Sequence, residues 1–495
     1  MRPIRPAGSR CHTPVMMTEL PIVQPFLEGG WVTGEDLTET VPDKFSDAPA
    51  TLVQTPSREQ VTRALAAAER AFVAERLPQS RRAAILDRAA ELVLERTDEL
   101  RAAVAVDTGY VDADVAAEVS RTAATLRMCA EEARRLAGEI VPLAGVAGQE
   151  HRFGFTRLDP LGVICAITPF NSPMNTLMHK VGPAIAAGNA VVIKPAAQTP
   201  RSADALLRVL LDAGLPPGLI SVLPGAGETV GQWLLEDPRP AYYAFTGSTR
   251  VGRHIHAAVG LRRTQLEMGS LASTIVCADA DLQRAARAAV AAGVLRKSGQ
   301  VCTSVQRLYV HADVIDEVGA EMARVLADLT AGDPRDPATA VGPLISPGDA
   351  TRVKAWIDQA VDGGAEVVSG GGRNGNVIEP TVLSQVATEA TIMQQELFGP
   401  VVLLRPFTAL DEAIAEANAT PYGLASGIFT RDIGVALDAA DRLLTGSVHI
   451  NETSSSRVDV MPFAGMKASG FGGAEGPRYA VRDMSQERTI TLSRP

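Results

Sequence analysis

The sequence predicts an α/β protein with a doubly wound parallel sheet, a second α/β unit and a small β element. Three observations carry this expectation. From Pro160 to Gly269, strands of unbroken apolar character alternate with helices, the pattern of parallel strands covered on both faces. A second alternating run begins near Thr274. Ahead of both, Pro56 to Gly138 is helical in texture. Across 495 residues a 46% hydrophobic content supplies a large core and excludes a mainly disordered chain.

The elements follow in order. Arg2, Arg5 and Arg10 precede the first acidic residue, Glu19, but no apolar core accompanies them. Residues 1–20 therefore read as a disordered extension rather than a targeting segment. Val61, Leu65, Ala68 and Phe72 repeat at helical spacing behind a candidate cap, Ser57. HRFGFTRLD alternates as a strand. LGVICAIT, AVVIKP, LISVLPG, AYYAFTG and RTQLEMG are buried strands. Helices are expected over Met174–Ala187, over Ser202–Ala213 and after Ser248. In the second run a helix starts at Asp281, RLYVH is a strand, and further helices lie near Val314, Arg352 and Asp411–Ala417. Strands are expected near Glu366 and Val401. The terminal RTITLS alternates as a strand, either paired with a neighbouring subunit or capped as an edge.

Charge and cysteine usage narrow the function classes. A net charge of −10 excludes a general nucleic-acid binder and adhesion to anionic membranes. The longest apolar candidate for a membrane span, Ala285–Leu295, is short and interrupted by Arg287. The five cysteines show no zinc-ligand spacing, so no metal site is expected. Free thiols imply a reducing compartment, the cytoplasm. Cys165 and Cys277 lie in apolar runs and are expected in the core.

Six local patterns point to chemistry. Cys302, in SGQVCTS, follows a helix and Gly299 and precedes a strand expected from Val305, a junction able to expose sulfur to a cleft. Thr168-Pro169-Phe170-Asn171 lies just past a strand end, where Asn171 offers an amide to an oxyanion. Lys194 ends the strand VVIKP. Phe245-Thr246-Gly247-Ser248 joins a strand to a helix N-terminus suited to a pyrophosphate. Gly227, in PGAGETVG, marks another such junction, without the GxGxxG spacing. Glu267, in LEMGS, is a carboxylate at a strand end.

Taken together, these pieces resemble the aldehyde dehydrogenase superfamily. The resemblance runs from about Phe26 to the end. It rests on PFNSPMNTLMHKVGPAIAAGNAVVIKP, FTGSTRVG, LEMGS, GQVCTSVQR, QELFGPV, the asparagine of VHIN, and PFAGMKASGFG. It implies a Rossmann-like cofactor domain over 21–138 and 159–270, and a catalytic domain over 271–470. Residues 139–158 and 480–495 would form an oligomerisation element in a homodimer or homotetramer. It implies Cys302 as nucleophile, Asn171 with the Cys302 amide as oxyanion hole, Glu267 as general base and Lys180 near the oxyanion. Thr168, Pro169, Phe170, Gly227, Phe245, Thr246 and Gly247 would line the NAD or NADP site. There Lys194 would meet the adenine ribose, Ser248 the pyrophosphate and Glu396 the nicotinamide ribose, with Phe398 beside it. The chemistry is thiolate addition to an aldehyde, oxidation to a thioester and hydrolysis.

Two departures stand out. Ala197 replaces a frequent glutamate, which implies tolerance of NADP. Gly470-Phe471-Gly472-Gly473-Ala474-Glu475 departs from the family's usual motif, so no role is assigned to Glu475. Alternatives are a CoA-acylating semialdehyde dehydrogenase, which usually lacks the base, and a non-catalytic relative. Arg457, in SRVDVMPF, resembles a segment of the branch acting on lactaldehyde, glyceraldehyde 3-phosphate and phosphonoacetaldehyde. It implies a small polar or acidic aldehyde, with Arg457 at its anion or else salt-bridged to Asp459 or a neighbour. Val301 beside the nucleophile argues against a phosphonate.

Overall fold

A computed structural model describes residues 20–493. The expected extension thus lies, but for residue 20, outside the described residues. The α/β architecture is present. The first sheet has eight strands, in the order 470–472, 263–267, 240–246, 163–167, 190–194, 220–222, 26–27 and 30–31. Its five central strands are parallel. From Val163–Ile167 the chain winds outward through Ala190–Lys194 to Ile220–Val222. It then returns to the other side as Pro240–Thr246 and Arg263–Glu267. The switch point lies between Ile167 and Thr246, so the loops after these strands open a crevice where ligands bind in such sheets.

Local chemistry accounts for the flanking helices. Ser57 and Gln60 form a reciprocal capping box at the start of Arg58–Ala74. Gln79–Glu95, Thr97–Thr108 and Asp112–Arg135 complete the predicted helical stretch. Their apolar faces, including Leu65, Leu86 and Leu126, close over Val191, Val192 and Ile193 in one core. All of Asn175–Ala187 is buried. The short strands between residues 22 and 54 have no counterpart in the sequence reading, because two- to six-residue pieces carry too little periodicity.

The second sheet has seven strands, in the order 366–369, 381–384, 401–407, 307–311, 273–276, 425–429 and 447–450. All pairings are parallel except the 366–369 edge. The strand expected from Val305 begins at Arg307. Gly470–Gly472 leaves this half and pairs with Arg263–Glu267, which ties the two sheets together beside Glu267. The terminal strand Ser485–Ser493 pairs antiparallel with Arg152–Pro160 of its own chain. Cys165 is buried, but Cys277 is only half-buried, because it lies just past the end of its strand. No helix of the described residues is long and apolar enough to cross a membrane, and none of their acidic, histidine and cysteine side chains group as a metal site.

Candidate active site

Cys302 sits where two cavities meet. The turn before it is strained: Lys297, Ser298 and Gly299 have φ of 52°, 53° and 71°. For Gly299 the left-handed backbone is easy, but a Cβ would come 2.1 Å from the Gly399 carbonyl oxygen. Two consecutive non-glycine residues in this region are costly, and buried bonds hold them there. The Lys297 amide donates to Asp114 at 2.8 Å, and its ammonium donates to Glu118 and to the Asn171 carbonyl, both at 2.8 Å. Ser298 Oγ donates to the Gly342 carbonyl at 3.1 Å. Burial pushes the half-buried Cys302 thiol up to about 12, with the Glu396 carboxylate adding to the effect.

One cavity contains Asn171, Glu267, Cys302, Arg457 and Glu475. It leaves about 60 Å³ for a water-sized molecule, room for a small ligand only. Asn171 enters from the loop after Val163–Ile167, and its Nδ2 donates to the Gln300 carbonyl at 2.9 Å. Of its two amide protons one remains for a ligand. Glu267 ends its strand buried, with neither carboxylate oxygen bonded. Burial, then repulsion by Glu475, holds its carboxyl well above the usual range, so it is protonated at neutral pH.

Lys180 donates to Glu475 at 2.9 Å, both fully buried. Although burial opposes it, the Lys180 ammonium, then Arg457, hold the Glu475 carboxylate ionised, well below the usual range. Thr246 Oγ1 also donates to Glu475, at 3.2 Å. The Arg457 guanidinium lies 3.0 Å from Glu475 and stacks on Phe463 at 4.2 Å. Nη2 is the atom facing Glu475, and Nε has no hydrogen-bond partner. The ion pair considered for Arg457 with Asp459 does not form. That carboxylate binds Arg121 at 2.7 Å and His179 at 2.9 Å instead.

The sequence assigned nothing to Glu118, Arg121, Arg296 or Glu475. Glu118 is buried, accepts from Ser172 and the Met174 and Asn175 amides, and so caps the helix that carries Lys180. Its signal was a charge sharing a helical face with Val115 and Thr122. Glu475 is brought in by antiparallel pairing with Phe463, which no local pattern announces.

The other cavity contains Ser270, Cys302, Glu396 and Phe398. Glu396 accepts from the Ser270 amide at 3.0 Å, and burial raises its carboxyl to about 7. Phe398, at φ 57°, packs edge-on against Phe170 at 5.7 Å. Across the crevice Thr168 is anchored to the Lys194 carbonyl at 3.2 Å, Pro169 follows it, and Ala197 is half-buried beyond Lys194. Lys194 donates only to the Pro195 carbonyl, and burial lowers it to about 8. Ser248 caps the helix Thr249–Val259. A Cβ on Gly247 would strike the Phe245 ring at 2.6 Å, whereas one on Gly227 would meet open space. An under-bonded buried lysine, a helix N-terminus facing the switch point and an open glycine junction fit a dinucleotide.

These features define a thiol-dependent oxidoreductase on a dinucleotide-binding sheet. The chain belongs to the aldehyde dehydrogenase family, whose profile matches residues 31–490. It oxidises an aldehyde with NAD or NADP as acceptor. It is 40% identical to the 3-sulfolactaldehyde dehydrogenase of Priestia megaterium, over 94% of this chain and 97% of that one. It is similar to the structure of aldehyde dehydrogenase 21 from Physcomitrella patens in complex with the reaction product succinate. That match has a TM-score of 0.92 and 34% identity, covering 96% of this chain and 99% of the other. It is also similar to NADP-dependent glyceraldehyde-3-phosphate dehydrogenase from Bacillus halodurans complexed with NADP. Here the TM-score is 0.92 and the identity 33%, over 95% and 99% of the two chains.

Proposed function

We propose that the substrate is a small aldehyde with an anionic group at its far end, oxidised to the carboxylate through Cys302. One observation carries this: the Arg457 guanidinium lines the Cys302 cavity, its Nε without a hydrogen-bond partner and its Nη2 facing only Glu475. A planar guanidinium fork suits carboxylate, sulfonate or phosphate oxygens. Three of the relatives agree in kind, since sulfolactaldehyde, the product succinate and glyceraldehyde 3-phosphate all carry an anion.

In this reading the Cys302 thiolate adds to the aldehyde carbon. The Asn171 amide and the Cys302 N–H stabilise the resulting oxyanion. When bound, the nicotinamide supplies the acceptor for the hydride. The Glu267 carboxyl, raised by burial and by Glu475, first gives up its own proton; as a carboxylate it then takes one from water as the water attacks the thioester, and Lys180 and Glu475 hold the charge around it. Glu396 would hold the nicotinamide ribose beside Phe398, with Phe170, Thr168 and Pro169 along the crevice. Thr246, Gly247 and Ser248 would cradle the pyrophosphate, and Lys194 the adenine ribose near Gly227. The absence of a side-chain carboxylate at Ala197 leaves room for a 2′-phosphate. The three-stranded sheet of 140–141, 152–160 and 485–493 is the proposed contact between subunits, supported by its exposed Ile140, Phe153 and Leu492. Free thiols at Cys129, Cys165, Cys277 and Cys302 support a cytoplasmic setting.

The test is kinetic. Arg457→Ala should raise KM for an anionic aldehyde far more than for a neutral one of equal size. Equal effects on both, or a wild-type preference for long alkyl aldehydes, would reject the reading.

A further inference from the structure

Oxidation of an aldehyde by a dinucleotide and water yields the carboxylate, the reduced dinucleotide and two protons, so each turnover must discharge protons from a buried base. Glu267 ends the strand Arg263–Glu267, which Pro240–Thr246 and Gly470–Gly472 flank in the sheet. A strand inside a mostly parallel sheet ordinarily turns apolar side chains to both faces. Here Arg263, Gln265 and Glu267 share one face, because alternate residues of a strand point the same way. Pairing in register puts Tyr242, Ala244 and Thr246 on that face beside them. Gln265 is fully buried, and neither polar atom of its side-chain amide has a hydrogen-bond partner.

This face leads from the catalytic cavity towards solvent. At its inner end Thr246 Oγ1 donates to Glu475, which also accepts from Lys180 of the helix Asn175–Ala187. Against burial, Lys180 and then Arg457 hold Glu475 ionised, which makes it a poor acceptor for the Glu267 proton. At the outer end Tyr242, itself fully buried, donates its hydroxyl to Asp483. Burial and the Asp483 carboxylate keep that hydroxyl protonated, and the field of Glu267 reaches it as well. Asp483 is half-buried, and the exposed Arg263 donates to the neighbouring Ser485 carbonyl at 3.0 Å. Gln265 lies between the two ends. Its partners across the sheet are Ala244 and Gly472, so neither neighbour in the sheet fills the space beside the amide. A buried amide so placed is ordinarily satisfied by water.

We propose that protons leave Glu267 along this face, through water bonded to the Gln265 amide and then the Tyr242 hydroxyl, to the Asp483 carboxylate and solvent. Gln265 and Tyr242 are positioning residues in this route; neither touches the aldehyde. In one passage the Glu267 O–H bond breaks and its proton joins the water at Gln265. That water passes a proton to the Tyr242 oxygen as the Tyr242 hydroxyl proton moves to Asp483. Asp483 then releases a proton to bulk water, and the hydroxyl and the water reorient to their starting state. No electron moves. The route rests on Glu267 as the base of hydrolysis, the role given to it above, and is indifferent to which aldehyde binds.

The experiment follows reduced cofactor by stopped flow in light and heavy water. The substrate is whichever of 3-sulfolactaldehyde, succinic semialdehyde and lactaldehyde the wild type oxidises fastest. The full-length wild type is compared with Gln265→Met, Tyr242→Phe, their double variant and Glu267→Gln, and each is also unfolded by denaturant. Gln265→Met removes both polar atoms at similar volume, so its unfolding midpoint should stay unchanged or rise. Its burst of reduced cofactor should persist, while the steady rate falls roughly 10-fold and the solvent isotope effect on that rate grows. Tyr242→Phe should slow in the same way, and it carries the test if the methionine variant does not fold. The double variant should be no slower than the slower single one, since both interrupt one route. Losses that multiply in the double variant overturn a single route. An effect in only one single variant overturns the part of the residue left silent. A burst lost together with the steady rate overturns the route, because the reacting groups have then been displaced. A steady rate and isotope effect unchanged in both single variants overturn the route where Glu267→Gln is slow; where Glu267→Gln is also unchanged, the base itself is wrong.

Discussion

Cys302 and Glu267 both hold their protons in the free enzyme, for the same reason: the loss of water raises each, and the nearby Arg457 does not offset it. The thiolate is the nucleophile, so its scarcity is measurable. With the thiol near 12, the thiolate fraction rises about tenfold per pH unit below that value. Alkylation of Cys302 by iodoacetamide, without cofactor or aldehyde, should therefore climb steadily from pH 7 to pH 9. A plateau below pH 8 would show the thiol already ionised. Glu267→Gln should leave the oxidation step and stall hydrolysis, giving one burst of reduced cofactor per active site and then slow turnover. Stopped-flow absorbance separates the two phases; an unchanged steady rate would mean another group serves as base. At the cofactor end, Ala197→Glu should shift preference toward NAD, because a carboxylate there repels a 2′-phosphate. The ratio of kcat/KM for the two dinucleotides checks it.

At the scale of elements, the turn 297–299 and the loop carrying Asn171 meet through one carboxylate. Glu118 binds the Lys297 ammonium at 2.8 Å, the Ser172 hydroxyl at 2.8 Å and the Asn175 amide at 2.9 Å. It thereby fixes Asn171 and Cys302 relative to each other, without lining their cavity itself. Glu118→Gln removes the charge that balances Lys297 and breaks a buried pair, a change worth roughly 3–5 kcal/mol. We expect a lower unfolding midpoint and kcat reduced on the order of 100-fold, since small misplacements of reacting groups have effects of that size. Denaturant titration and steady-state kinetics measure the two effects. The helix Asn175–Ala187 explains why such a residue is needed. Its N-cap, Met174, offers no side-chain acceptor, so the first amides are satisfied from another helix.

For the whole molecule, the strand 470–472 joins the half carrying Cys302 to the sheet carrying Glu267. The three-stranded sheet outside both halves leaves Ile140 72%, Phe153 45% and Leu492 57% exposed. Such a surface with an open edge is a natural contact between copies. Truncation after Met484 should lower the assembly mass in sedimentation equilibrium; an unchanged mass would remove this sheet from the proposed interface.

Elements whose burial is continuous were legible from the residues alone. LGVICAIT, AVVIKP and AYYAFTG are strands because no helix face accounts for unbroken apolar runs of that length, and Ser57 and Ser248 announce their helices by capping chemistry. Cys302, Asn171, Glu267 and Lys194 could be singled out because each lies at a strand end or turn with a contiguous motif, whereas Glu396 came only from the family resemblance. What the sequence could not carry is which charge answers which. Glu475 reaches Lys180 from 295 positions away, and Asp459 takes Arg121 from 338 positions away, leaving Arg457 to Glu475 and Arg296 to nobody. Ion pairs are chosen by distance and burial after folding, and side chains so far apart in the chain leave no local periodicity to read. The tertiary structure therefore decided the electrostatics of the cavity, while the sequence had already determined the sheet that holds it.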